Sequence, residues 1–150
     1  MEEAYKICRA VKGVDEVTVV PTAMNAGTLL VDDEREYVLT LSERLQMRDI
    51  ASEVAFDGQE ALDFVESEEP AVIVLDLRMP GIDGMEVLKR VRRDHPRVHV
   101  IVVTGQGTGE DEKMARSLGA FDYLKKPVDI KTLAARIAQA RQLHRDIAEE

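Results

Sequence analysis

Four apolar runs in this chain each end directly at polar side chains, and this repeated pattern constrains the fold more than any other feature. The runs are residues 28–31, 71–75, 99–103 and 121–124. The side chains that follow them are, in the same order, Asp32-Asp33, Asp76, Thr104 and Lys125-Lys126. Because the stretches between the runs carry apolar residues at helical spacing, the pattern predicts strands that alternate with helices. Such alternation is typical of α/β domains built on a parallel sheet.

The stretches between the runs, and the stretch after the last run, predict five helices and one further strand. The helices are expected near residues 37–45, 59–65, 84–94, 111–118 and from 128 towards 149, and the extra strand at 52–55. Strands that alternate with helices imply right-handed crossovers between parallel strands. The near-continuous Val, Ile and Leu of the third and fourth strands indicate that both faces of the sheet are covered. We therefore expect an α/β fold with a five-stranded parallel sheet and helices on both faces.

The polar residues at the strand ends are expected to meet at one place. In a parallel sheet, three carboxylates, a hydroxyl and an ammonium group would lie together at the carboxyl edge, where open α/β sheets bind ligands. The carboxylates of Asp32, Asp33 and Asp76 repel one another at close range unless a cation lies between them. Because carboxylate oxygens suit a hard divalent cation, the sequence predicts a metal site at this edge.

Composition and charge argue against several classes of partner. The 150 residues carry a net charge of −9 and have a sequence pI of about 4.9, whereas a nucleic-acid-binding chain needs a basic face. The same charge argues against an anionic membrane surface, and no apolar run approaches the roughly 18 residues that a membrane span requires. Cys8 is the only cysteine, so no internal disulfide can form, and the acidic start does not resemble a secretory signal. These features favour the cytoplasm.

The first 27 residues do not share the alternation of strands and helices. The residues that could form one helical face there are Ala4, Ile7, Cys8 and Val11. Residues 17–20 are typical of an extended segment, and the extension either packs on the domain, mediates a contact, or precedes a true start at Met24. We therefore expect an N-terminal extension of unknown role (residues 1–27), one domain (residues 28–145) and the end of the last helix or a tail (residues 146–150).

A set of short motifs occurs along the chain in a fixed order. The motifs are Leu30-Val31-Asp32-Asp33-Glu34, Leu75-Asp76, Met79-Pro80, Asp83-Gly84, Thr104-Gly105 and the segment from Gly119 to Pro127. Together they resemble the receiver domain of bacterial two-component response regulators, of the chemotaxis-regulator kind, over about residues 28–145. The resemblance implies a doubly wound, flavodoxin-like (βα)5 fold with strand order 2-1-3-4-5.

The resemblance also assigns roles to the acidic residues. Asp76 would be the phosphoacceptor, since an aspartate carboxylate can attack phosphorus and form an acyl phosphate. Mg²⁺ would neutralise charge on the transferred group. The family pattern implies that Asp33 and Asp76 bind this ion directly and that Asp32 binds it through water. The backbone carbonyl of Arg78 would complete the protein ligands.

Further residues would contact the phosphoryl group and carry the signal. By resemblance, Lys126 and Thr104 would each contact a phosphoryl oxygen, and a cis Lys126–Pro127 bond would direct the lysine into the site. After phosphorylation Thr104 would move and Tyr123 would turn inward. The surface formed by the fourth helix, the fifth strand and the fifth helix would change as a result.

Two positions beside the site would tune how long the phosphoryl group persists. By resemblance, Arg78 could reach the phosphoryl group or Asp32, and the small Gly105 would leave the site accessible. Gly105 also begins a G-x-G-x-G run over residues 105–109. A dinucleotide-binding loop is a weak interpretation of this run, because it follows the fourth strand and not the first. We expect instead that these glycines make the loop mobile.

The implied activity is that of a signalling domain and not of an enzyme, although such a domain assists its own phosphorylation and dephosphorylation. The phosphoryl group would come from a histidine kinase or a histidine phosphotransfer protein, and the signal would pass to an output domain or protein. No direct contact with nucleic acid or membrane is expected. A homodimer through the fourth helix, fifth strand and fifth helix is an open alternative.

One enzyme class shares part of the pattern. Aspartate-nucleophile phosphatases of the haloacid dehalogenase type resemble an apolar strand that ends in Asp-x-Asp, with the second aspartate as the general acid. In this chain the second position after Asp76 is Arg78, so that acid is absent. A flavin-binding module is also disfavoured, because Asp32, Asp33 and Glu34 would repel a phosphate after the first strand.

Overall fold

Five parallel strands form one sheet in the computed structural model, which describes residues 5–7, 19–21 and 27–149. The strands are β1 (Thr28–Val31), β2 (Ser52–Ala55), β3 (Val72–Leu75), β4 (His99–Thr104) and β5 (Asp122–Lys125). The helices are α1 (Arg35–Gln46), α2 (Gly58–Ser67), α3 (Gly84–Asp94), α4 (Gly109–Ser117) and α5 (Ile130–Glu149). The strands lie in the order β2-β1-β3-β4-β5, and every neighbouring pair is parallel. The predicted fold class and strand order are confirmed.

Each face of the sheet carries its own apolar core, because successive strand residues point to opposite faces. One core joins the sheet to α2, α3 and α4; its members include Leu29, Ile73, Val100, Val65, Leu88 and Ala115. The other joins the sheet to α1 and α5; its members include Leu30, Val72, Ile101, Val38, Leu133 and Ile137. Every residue of β1 and β3 is buried, as predicted for strands that are covered on both faces.

Side-chain caps fix where helices α2, α3 and α4 begin. The carboxylate of Asp57 accepts a hydrogen bond from the backbone N–H of Glu60 at the start of α2, and Asp83 does the same for Glu86 at the start of α3. Helix α4 begins with a reciprocal capping box between Thr108 and Asp111. Such caps satisfy N–H groups that have no partner within the helix, and they hold each strand-to-helix loop in one place.

The last helix differs slightly from its predicted limits. It begins at Ile130 and not at Val128, because the Asp129 carboxylate accepts hydrogen bonds from the backbone N–H and the hydroxyl of Thr132, both at 3.0 Å. It continues to Glu149, as predicted. Among the described residues, neither this helix nor any other is long and apolar enough to cross a membrane.

The N-terminal segment contains a short two-stranded ribbon. Tyr5–Ile7 pairs antiparallel with Val19–Pro21, so the predicted extended conformation is confirmed at Val19 and Val20. The predicted helical face is wrong at Ile7, since its backbone is a strand paired with Val19. The other members of that face, Ala4, Cys8 and Val11, lie outside the described residues.

Candidate functional site

The polar strand ends lie together at the carboxyl edge of the sheet. Asp32 and Asp33 follow β1, Asp76 follows β3, Thr104 ends β4 and Lys126 follows β5. One carboxylate oxygen from each of the three aspartates lies within 4.8 Å of the other two. Asp32 and Asp76 are buried, at 4% and 6% exposure, whereas Asp33 is exposed to solvent. The edge therefore combines a buried pair of acids with one acid that faces water.

Hydrogen bonds of the sheet hold the two buried aspartates in place. The backbone N–H of Asp32 donates to the carbonyl of Ala55, and that of Asp76 donates to the carbonyl of Val31. Each side chain then accepts a hydrogen bond at Oδ1 from the N–H two residues further on, Asp32 from Glu34 at 3.0 Å and Asp76 from Arg78 at 3.2 Å. This Asx-turn arrangement leaves the second oxygen of both carboxylates directed at the same space.

Lys126 fills that space between the carboxylates. Its Nζ lies 2.7 Å from Asp32 Oδ2, 3.1 Å from Glu34 Oε1 and 3.5 Å from Asp76 Oδ2. The same ammonium lies 4.4 Å from the ring centroid of Tyr37, a cation–π distance. The Lys126–Pro127 peptide bond is cis, as the sequence predicted. The ammonium thus acts as the internal counter-charge of the acidic cluster.

The pKa values of the two closest partners reflect this pairing. Burial raises the pKa of Asp32, and the hydrogen bonds from Lys126 and from the Glu34 backbone oppose that rise without cancelling it. Burial by itself would lower the pKa of Lys126, but the hydrogen bond to Asp32 and the charges of Asp32 and Asp76 outweigh it and raise the pKa. The lysine therefore stays charged throughout the physiological pH range.

The donor set fits a hard divalent cation. Oxygens around an octahedral Mg²⁺ lie about 3 to 4 Å apart, since each is about 2.1 Å from the ion, and the three carboxylates need only small rotations to reach that spacing. Exposed Asp33 leaves one side of the cluster open, which suits an ion that keeps several water ligands. Within the part of the chain that the structure describes, no other group of three His, Cys, Asp or Glu side chains converges in this way.

Thr104 lies beside the acids at the end of β4. It is 1% exposed, and its backbone carbonyl accepts a hydrogen bond from the N–H of Lys126 at 3.0 Å. Its hydroxyl oxygen accepts a hydrogen bond from the N–H of Gln106 at 3.5 Å, which is long for such a bond. The strand therefore fixes the position of Thr104, whereas its hydroxyl is held only weakly.

Tyr123 is already buried in the structure, with 6% of its surface exposed. A Cβ atom built on Gly107 would lie 1.7 Å from the Tyr123 hydroxyl oxygen and 2.8 Å from a methyl carbon of Thr104. The tyrosine is inward because residue 107 has no side chain. The resemblance implied that Tyr123 turns inward after phosphorylation; the ring is already buried in this structure, and a change of its position on phosphorylation stays a prediction. Among the described residues the buried hydroxyl has no hydrogen-bond partner.

Arg78 points away from the acidic cluster. Its Nη2 lies 2.6 Å from Oδ2 of Asp111 in the first turn of α4. The sequence left two partners open for this guanidinium. The contact with Asp32 is wrong for this structure, where Lys126 lies at the free oxygen of Asp32, whereas contact with a phosphoryl group stays a prediction. A side chain added to Gly105 would meet the aliphatic part of Lys126 at 3.6 and 3.7 Å, an ordinary contact distance.

Three residues of this region were not identified from the sequence. They are Glu34, Gly107 and Asp111. The spacing Thr108-x-x-Asp111 is a readable capping signal, but it contains nothing that points to Arg78. Glu34 precedes α1 without capping it through its side chain, which leaves its carboxylate for Lys126.

A comparison with protein families supports the resemblance noted from the motifs. Residues 28–138 match the model of the response regulator receiver domain. The chain is 35% identical over 114 residues to the response regulator MprA of Mycobacterium tuberculosis and 36% identical over 114 residues to that of Mycolicibacterium vanbaalenii. Each alignment covers 76% of this chain but only 50% and 49% of the relatives, so the chain spans about half their length.

Solved structures of similar fold cover most of both chains. The receiver domain of the Francisella response regulator 1452 is 30% identical, with a TM-score of 0.73 over 79% of this chain and 98% of that one. A receiver domain protein from Clostridium thermocellum is 27% identical, with a TM-score of 0.77 over 82% and 99%. A Burkholderia pseudomallei response regulator, 25% identical with a TM-score of 0.71 over 83% and 74%, contains a phosphorylated aspartic acid, a calcium ion and citrate.

Proposed function

Because the chain belongs to the family of response regulator receiver domains of two-component systems, we propose that it accepts a phosphoryl group on Asp76. The observation that carries this proposal is the position of Asp76, a buried carboxylate held by the N–H of Arg78 on one oxygen and facing Lys126 on the other. A similar Burkholderia protein carries a phosphorylated aspartic acid, which supports the same chemistry.

The proposed step is a transfer between nitrogen and oxygen. A carboxylate oxygen of Asp76 forms a bond to phosphorus while the bond from phosphorus to a histidine nitrogen of the donor protein breaks, and that nitrogen keeps the electron pair and takes a proton from solvent. Bound Mg²⁺ would supply positive charge to the phosphoryl oxygens. Asp32, Asp33, Asp76 and the backbone carbonyl of Arg78 are the groups that would hold it.

We propose that Lys126 and Thr104 contact the new group. The Lys126 ammonium lies between two carboxylates, so a small movement of its flexible stem brings it to a phosphoryl oxygen on Asp76. The Thr104 hydroxyl, weakly held at 3.5 Å, is free to turn and donate to another oxygen. Thr104 and Tyr123 meet at Gly107, so a movement of the threonine changes the space available to the tyrosine.

We expect Gly107→Ala to expel Tyr123 from its buried position. The new methyl carbon would overlap the tyrosine hydroxyl, at 1.7 Å, and two atoms cannot lie that close. Tyrosine nitration followed by peptide mass spectrometry should show several-fold faster reaction at Tyr123 than in the unchanged protein. Gly109→Ala is the matched control, since nothing lies within 4 Å of its added carbon. Equal nitration in both variants would contradict this account of Tyr123.

The partners follow from the proposed reaction. A histidine kinase or histidine phosphotransfer protein would donate the phosphoryl group, and an output domain or protein would receive the signal from the α4, β5 and α5 surface. The same surface is where a homodimer would form. Because such donors present their phosphohistidine in the cytoplasm, we propose that the chain acts there. With residues 28–145 as the receiver domain, residues 1–27 remain an extension without an assigned role.

The phosphatase alternative finds little support in the geometry. An aspartate-nucleophile phosphatase needs a general acid two residues after its nucleophile, and this chain has Arg78 there, paired with Asp111. A guanidinium does not release a proton at any working pH. We therefore propose that the domain acts as a phosphoacceptor and not as an enzyme that turns over external substrates.

The proposal is tested with a small-molecule phosphodonor. We expect acetyl phosphate to add one phosphoryl group per chain by intact-mass spectrometry in the presence of Mg²⁺, and none when the metal is removed with a chelator. The adduct should be removed by hydroxylamine, which cleaves acyl phosphates but not phosphoserine or phosphothreonine. An adduct that forms without the metal, or that resists hydroxylamine, would refute the proposed chemistry.

A further inference from the structure

We propose that the Arg78–Asp111 ion pair is a latch that holds the first turn of α4 to the phosphoacceptor loop and that opens when Asp76 is phosphorylated. Arg78 is thus inferred to be a positioning residue for α4 as well as a neighbour of the acceptor. The opening step rests on the proposed function, whereas the closed latch concerns the unphosphorylated protein alone.

The geometry joins two elements that do not otherwise share a side-chain ion pair among the described residues. Arg78 Nη2 and Asp111 Oδ2 are 2.6 Å apart, although the residues are 33 positions apart in the sequence. Asp111 Oδ2 also accepts the N–H of Thr108 at 2.9 Å, so the guanidinium is bound to the same oxygen that caps α4. A movement of Arg78 therefore changes the contacts of an oxygen atom that caps the first turn of this helix.

The latch lies close enough to Asp76 for phosphorylation of that residue to affect it. The backbone N–H of Arg78 donates to Asp76 Oδ1, which keeps the base of the arginine beside the phosphorylation site while its long side chain reaches outwards. A phosphoryl group on Asp76 would bring about 1.5 to 2 negative charges and three acceptor oxygens next to the backbone of Arg78, from which its long side chain could turn back towards them. Guanidinium pairs strongly with phosphate, so the new group competes with Asp111 for Arg78.

The latch is weak enough to open. The side chains of Arg78 and Asp111 are 51% and 23% exposed, and water screens ion pairs of this kind. The capping box survives its loss, because the Thr108 hydroxyl still accepts the N–H of Asp111 at 3.1 Å. Opening the latch is thus expected to release α4 from the acceptor loop without unfolding its first turn.

The closed latch is tested in the unphosphorylated full chain by hydrogen exchange of the backbone amides at residues 111–114. Arg78→Ala should speed this exchange about two- to fivefold, the range expected for an exposed ion pair. In an Asp111→Asn background, which keeps an oxygen for the Thr108 N–H, the same substitution should add nothing. Arg90→Ala, which removes an exposed pair with Glu86 on α3, is the matched control and should leave α4 unchanged.

The opening step is tested by repeating the exchange measurement on the chain phosphorylated with acetyl phosphate and Mg²⁺. Because phosphorylation is proposed to open the latch, exchange at residues 111–114 should rise about two- to fivefold in the unchanged protein, and Arg78→Ala should then add nothing further. Equal exchange effects of Arg78→Ala with and without Asp111→Asn would overturn the latch, and an undiminished effect of Arg78→Ala in the phosphorylated chain would overturn its opening. Failure of acetyl phosphate to label the unchanged protein would instead refute the proposed function and leave the exchange result standing.

Discussion

Replacing Asp76 with asparagine is expected to reduce phosphoryl transfer from acetyl phosphate to below the detection limit of intact-mass spectrometry. An amide oxygen is a far weaker nucleophile than a carboxylate oxygen, so no acyl phosphate forms. The fold should persist, because asparagine has the same shape and its Oδ1 can still accept the N–H of Arg78. The substitution also removes one of the carboxylates whose mutual repulsion Lys126 balances.

Asp83→Asn is the matched control for that experiment. Asp83 also lies close to the sheet edge, but its carboxylate caps α3 through the N–H of Glu86, a role that asparagine fills equally well. We expect full labelling of this variant. A phosphoryl adduct that persists in Asp76→Asn at another residue would move the acceptor site elsewhere.

Replacing Gly84 with alanine is expected to lower the free energy of unfolding by about 3 kcal/mol or more, the upper range for overpacked sites. The added carbon would lie 2.3 Å from the carbonyl oxygen of Asp76 and 2.6 Å from Cα of Leu77. These are backbone atoms that cannot rotate aside, so either α3 or the acceptor loop must move. Urea denaturation followed by circular dichroism measures this loss.

Replacing Gly109 with alanine is the control that separates the steric overlap at Gly84 from the general effect of a glycine-to-alanine change on stability. Each glycine is the first residue of a helix and directly follows the N-cap residue, which is Asp83 for Gly84 and Thr108 for Gly109. Nothing lies within 4 Å of a carbon added to Gly109, so alanine there should leave stability unchanged or raise it by up to about 1 kcal/mol. Equal stability of the two variants would show that Gly84 does not need to be small.

The alternation of strands and helices and the meeting of the polar strand ends could be predicted from the sequence, because both depend on patterns that a linear chain displays. The order of the strands was predicted from the resemblance to receiver domains. A buried strand such as β3 has to be apolar throughout, and the residue after it has to emerge at the sheet edge. The loop glycines were harder to interpret. Gly107 serves a neighbour distant in sequence, Tyr123, and only the packed structure shows that its missing side chain makes room for that ring.

The partner of Arg78 could not be predicted because ion pairs result from competition in space. From the sequence, Asp32 was a reasonable partner for Arg78. In the structure, Lys126 Nζ lies 2.7 Å from the free oxygen of Asp32, and Arg78 pairs with Asp111 instead. Motif order constrains which residues gather at an edge. It does not say which of several charged side chains there will pair, since that depends on differences of a few ångströms.

Lys126 gives the acidic edge a positive charge of its own. Its ammonium already balances Asp32, Glu34 and Asp76, so an incoming cation does not enter a field of uncompensated negative charge. A divalent cation held by Asp32, Asp33 and Asp76 would bring two positive charges close to this ammonium, so its affinity would depend partly on how far Lys126 can move away from Asp32. The same movement would carry the ammonium towards a phosphoryl group on Asp76, so the responses to the cation and to the phosphoryl group would be coupled through one side chain.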